Sequence, residues 1–304
     1  RATMKFSARI KLMGLAFTIS AMPGCKQSND NLPTPIFDIG SSQFFDSPWP
    51  SDSRLDAEGM PILQGFPNPD NLPLLATYME AMTRRPGFGT NAPTYFRFGT
   101  SIDKLQSYSG GASMESDAPI RLLNIDPMSP HVGERVPVQL EFFDEPTKYH
   151  PANLLAVAPY SGFPLRPNTQ YAVIITTEIA QLNSEFKEVW APDHSQYALY
   201  SPLRDALLFE SLAPEDVAVA SVFTTMDPIR EMATMSQFIH ENIETPVLDQ
   251  TLTLADDYVF YDVYNGYYPG PLFQHGERPY TEVADGGGFQ FQDTGAPIIY
   301  EWEL

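Results

Sequence analysis

Cysteine is almost missing from this chain: Cys25 is the only one in 304 residues. No disulfide can form within it, so the fold must be held by its core alone. Basic residues are scarce too, with 18 Lys and Arg against 38 Asp and Glu, a formal net charge of -20. A field of that sign disfavours nucleic acid and anionic membrane surfaces. The apolar run from Leu12 to Ala21 is about half the ~20 residues that a permanent membrane-spanning helix needs. Proline, glycine and aromatics are plentiful instead: 29 Pro, 19 Gly, 20 Phe and 15 Tyr. Prolines and glycines at that density cut the chain into short segments, which argues for strands and loops over long helices. At 43% hydrophobic residues, the chain has enough apolar matter for a packed core.

The N-terminus has the order of an export signal. Met4 follows Arg1-Ala2-Thr3, which look like upstream translated sequence. Basic residues (Lys5, Arg9, Lys11) precede the apolar run, and small residues close it. Ala21-Met22-Pro23-Gly24-Cys25 resembles a bacterial lipobox, with Gly24 as the small residue before a cysteine that would carry the lipid; Pro23 and Met22 depart from its usual residues. An ordinary signal peptide with an incidental cysteine is the other reading. The expectation is a leader over 1–25 with Cys25 as its lipidation site, a polar, proline-bearing tether over 26–35, and a location in the cell envelope or outside the cell, anchored in a Gram-negative outer membrane.

About 280 residues follow the leader, enough for one large or two ordinary domains. Leu74, Leu75, Tyr78, Met79 and Met82 predict a short amphipathic helix over 72–82 that ends at Pro86-Gly87. Strands are expected over 93–98, 120–125, 136–143, 154–158, 171–177 and 217–225. The β-branched run Tyr171–Thr177 after the Pro167-Asn168 turn is the strongest of them. Helices are expected over 197–212, facing inward through Leu199, Leu203, Ala206, Leu207 and Phe209, and over 229–242, capped by Asp227 with Pro228 in the first turn. Alternation from Ile299 to Leu304 reads as a half-buried strand. Stopping in mid-pattern, and with the start before Met4, it suggests a fragment of a longer protein. Short strands between Pro/Gly turns describe a mainly β fold, a β-sandwich with a few accessory helices.

Chemistry is sparse. There is no Gly-x-Ser-x-Gly nucleophile elbow, no His-x-x-x-His zinc pair among the five histidines, and no glycine-rich phosphate loop. Ser101-Ile102-Asp103-Lys104 fits Ser-x-x-Lys but lacks its partner motifs, and His275-Gly276 is more simply a turn than an oxyanion loop. Calcium is the one metal considered: Asp285 and Asp293 put hard oxygens on glycine-rich turns, without the spacing of a known calcium loop. No other cofactor is expected. The aromatics between prolines at 44–69 read as core plugs, with sugar stacking the alternative.

Several segments do carry a resemblance. Asp46-Ser47-Pro48-Trp49-Pro50-Ser51-Asp52, Phe66-Pro67-Asn68-Pro69, Gly87-Phe88-Gly89 and Tyr95-Phe96-Arg97-Phe98 are similar to the opening of large secreted bacterial hydrolases with an Ig-like N-terminal region of the virulence-factor lipase type. Leu165–Thr177 and Ser221–Thr225 resemble strands of bacterial Ig-like domains. The resemblance implies an Ig-like domain over 36–228. Residues 229–304 would then lead to a downstream α/β-hydrolase domain that bears the catalytic serine. It carries no catalytic residue onto this chain. The function expected is a non-catalytic region that spaces or stabilises that partner domain, reaching the membrane through its lipid anchor. A stand-alone surface lipoprotein that binds glycan or protein is the alternative.

Overall fold

The computed structural model describes residues 31–102, 111–245, 247, 252–273 and 298–303. Strands dominate it, and every strand pairing is antiparallel. Eleven strands are described: β1 (Thr94–Arg97), β2 (Ile120–Asn124), β3 (Arg135–Val136), β4 (Val138–Phe143), β5 (Leu154–Pro159), β6 (Gln170–Thr176), β7 (Val217–Thr224), β8 (Thr253–Asp257), β9 (Asp262–Asn265), β10 (Tyr267–Leu272) and β11 (Ile298–Glu303). The helices are short: α1 (Pro73–Met82), α2 (Ser184–Glu188), α3 (Tyr197–Ala206) and α4 (Arg230–Asn242).

Two sheets make the core, one of order β1-β5-β4 and one of order β3-β2-β6-β7. The expected strand over 136–143 is divided between them. Pro137 has no N–H to give to a ladder, so the chain leaves β2 at Val136 and joins β5 from Val138. Serine fills the gap: Ser113 Oγ accepts from Val138 N at 3.0 Å. Both sheets feed one hydrophobic cluster, with Phe96, Leu155 and Val157 from the first and Leu122, Val173 and Val222 from the second.

β1 alternates as its sequence does, burying Thr94 and Phe96 and leaving Tyr95 and Arg97 half-buried. By contrast β2 is buried throughout, as are all but the first residue of β6 and the last of β7. Successive side chains point to opposite faces of a strand, so this sheet is covered on both sides. That is why Tyr171–Thr176 and Val217–Phe223 read as continuous apolar runs. Part of the cover is aromatic. Phe37, Phe186, Trp190 and Tyr200 meet edge to face with centroids 5.2–6.4 Å apart, and the Tyr200 hydroxyl donates to Ala220 O at 3.2 Å.

The helices differ from expectation in three ways. α1 packs Met79 against the core and half-buries Leu75 but leaves Leu74, Tyr78 and Met82 exposed. α3 stops at Ala206 and tightens into a 3-10 turn over Leu207–Glu210, which rotates Phe209 out against Gly133. Asp227 does not cap α4 as its N-cap; the cap position is Ile229, whose N–H donates to Asp227 Oδ1 at 3.1 Å.

Candidate functional site

The segment from Asp46 to Asp52 is the most polar stretch drawn into the core, and its side chains act as ties. Asp46 pairs with Arg97 at the end of β1. Trp49 is buried and bridges Tyr95 of β1 through backbone bonds in both directions, 2.6 and 3.2 Å long. Ser47 Oγ accepts from Arg54 Nη2 at 3.0 Å, and the Arg54 guanidinium lies 4.4 Å over the Phe44 ring. Burial pulls the Arg54 pKa down from its ordinary value. Asp52 reaches the far sheet, accepting from Thr224 N and Thr224 Oγ1 at 2.7 Å and from Gln170 Nε2 at 3.2 Å. Burial raises the Asp52 pKa, and the bonds from Thr224 and Gln170 counter this only in part.

Beside this segment lies a groove of about 250 Å³, between Phe45, Gly65 and Pro67 on one side and the loop Pro146–Pro151 on the other, with Arg97 at its floor. The loop is built on Thr147, whose Oγ1 accepts from the N–H groups of Tyr149 and His150 at 3.1 and 3.2 Å. Lys148 pairs with Asp70, and that bond raises its pKa. The Tyr149 hydroxyl donates to the same carboxylate at 3.1 Å. The His150 ring lies tilted against Phe143 with centroids 4.8 Å apart, its Nδ1 3.0 Å from Pro151 O. Aromatic faces, a hydroxyl and two paired cations suit a small polar ligand. A larger, hydroxyl-lined hollow of about 530 Å³ runs along Ser41, Ser42, Ser47, Ser53 and Arg54.

Of the described candidates read from the sequence, Phe44, Phe45 and His150 line the groove; the others do not gather at either place. Cys25, Asp285 and Asp293 lie outside the described residues, as do Lys104 and His275. Ser101 is exposed and donates to Asp144 at 2.6 Å. The rings of three of the four described histidines have partners other than a serine hydroxyl: His131 with Glu134, His150 with Pro151 and His194 with the Gln196 N–H. His240 is exposed in the last turn of α4. Among the described residues no three His, Cys, Asp or Glu are placed to hold a metal ion, and no helix is long and apolar enough to cross a membrane.

Sequence reasoning missed a buried ionic triad. Glu210, 4% exposed, sits between Arg121 (5%) and Arg135 (14%), with Arg121 Nη1 on Oε2 at 2.7 Å and Arg135 Nε on Oε1 at 2.9 Å. Arg121 also donates to the carbonyls of Ala118, Ser116 and Glu210. Every guanidinium nitrogen of the two arginines thus finds an acceptor, as a structural tie between β2, β3 and the 3-10 turn after α3 requires. No spacing in the sequence signals it. No family model, curated protein or solved structure matches this chain.

Proposed function

We propose that this chain is the non-catalytic, Ig-like N-terminal region of an exported, lipid-anchored hydrolase of the lipase/esterase kind, and that it spaces or stabilises the catalytic domain. The observation that carries this reading is the use made of the Asp46–Asp52 motif. Its carboxylates, serines and tryptophan are spent on internal ties to β1, Arg54, β6 and β7, the role expected of a scaffold signature. Two antiparallel sheets with one shared core, joined where the chain changes sheet at Pro137, support the Ig-like sandwich. The anchor at Cys25 and the envelope location rest on the order of residues in the leader.

Assay of the purified chain against short-chain p-nitrophenyl esters tests the non-catalytic part. Hydrolysis at the background rate is expected. Turnover abolished by a serine-reactive phosphonate would overturn it.

A second reading, a stand-alone binding module, is favoured by the groove at Arg97 and Tyr149. Saturable binding of a glycan or peptide that is lost in Tyr149→Ala would support it over the first.

A further inference from the structure

The hairpin of β8 and β9 has no core of its own. Every residue from 252 to 265 is exposed, and a two-stranded hairpin is marginal alone in water. Its tip is the most apolar exposed point of the described chain: Val259 is 91% and Phe260 95% exposed. Tyr258 and Tyr261 stack behind them with centroids 4.7 Å apart, and Tyr258 N donates to Tyr261 O at 3.0 Å to close the turn.

Directly behind the rings, Asp257 and Asp262 face each other across the strands, with Asp256 next to them. Like charges opposite each other weaken a strand pair, and there is no Lys or Arg between 252 and 265 to relieve them. Among the described residues the hairpin therefore has neither an apolar socket for its tip nor cations for its shoulders. A second copy of the chain would bring its own carboxylates against these. An anionic lipid surface would repel them.

From this geometry we infer that the tip Tyr258–Tyr261 plugs an apolar pocket rimmed by Lys or Arg on a following domain of the same polypeptide. The inference rests on the proposed function above and assigns the surface through which the two parts meet. Apolar contact holds the plug, and the basic rim fixes its register through Asp257 and Asp262.

The test uses the sole cysteine of the chain. In a Cys25→Ser background, Val259→Cys places a thiol at the tip, and its maleimide labelling rate is compared between the 304-residue chain and the full gene product, after subtraction of any other thiol. Labelling about tenfold slower in the full product is expected, by the protection that docking gives a local site, with fast labelling restored by Phe260→Asp and by Asp262→Lys. Equal rates in both proteins would overturn the inference. So would protection of the 304-residue chain by phosphatidylcholine vesicles or by raised protein concentration, which would make lipid or a second copy the occupant. A reading frame that ends at Leu304 sinks both this inference and the proposed function, whereas a continuing frame with an unprotected thiol sinks this one alone.

Discussion

Asp52 is where a single residue's chemistry bears most on the fold. Its carboxyl ties the turn after Trp49 to β6 and β7, yet burial raises its pKa above the ordinary aspartate range. The folded chain thus holds the Asp52 proton more tightly than the unfolded chain does. Its contribution to stability is full at low pH and falls as pH rises through the folded pKa. Asp52→Asn removes that titration while keeping an acceptor for Thr224 N. The melting temperature of the variant minus that of the parent should therefore grow from acid toward neutral pH. A difference independent of pH would refute the assignment. The Glu210 triad behaves differently. Glu210→Gln leaves Arg121 and Arg135 buried with an uncharged partner and should cost ~3–5 kcal/mol in urea unfolding. Replacing all three by apolar residues of similar volume should cost far less, because the buried charge leaves together with its partners. Neither site could be read from the sequence. Arg121 and Glu210 are 89 residues apart, and a pair formed across elements leaves no periodic trace.

At the scale of elements, the core strands were legible, whereas β8 to β10 and the helix faces were not. The runs at 171–177 and 217–225 are β-branched because their sheet is covered on both sides, so composition alone marks them. The division at Pro137 was less visible, since a single proline inside a strand pattern marks either an edge or a change of partner. In α1, apolar residues at adjacent positions satisfy two faces equally, and packing chose Met79, leaving Leu75 half-buried. The glycine of Gly87-Phe88-Gly89 is a further case. Gly87 has φ +81°, and a Cβ there would meet Met226 N at 2.8 Å and Thr225 C at 2.9 Å. Phe88 and Thr225 form a parallel bridge at that point. Both backbone strain and contact with main chain act against a side chain, so Gly87→Ala should destabilise by more than about 1 kcal/mol. Gly162, also at positive φ but with nothing within 4 Å, should tolerate alanine better. Equal denaturation midpoints for the two variants would contradict this.

For the whole molecule, charge and exposed apolar surface point in one direction. A chain with net charge -20 buries Phe37, Phe96, Tyr171 and Phe223, exposes aromatics at scattered positions such as Tyr78, Phe163 and Phe209, and exposes Tyr258, Phe260, Tyr261 and Tyr264 together. The β-rich architecture was legible from proline, glycine and β-branched spacing. Cys25, the proposed lipidation site, and the carboxylates Asp285 and Asp293 fall outside the described residues. The central claim, a non-catalytic region in front of a hydrolase domain, is tested most directly by reading the native gene beyond the codon for Leu304. The account predicts an open frame that encodes a Gly-x-Ser-x-Gly elbow downstream. A stop codon directly after Leu304 would contradict it.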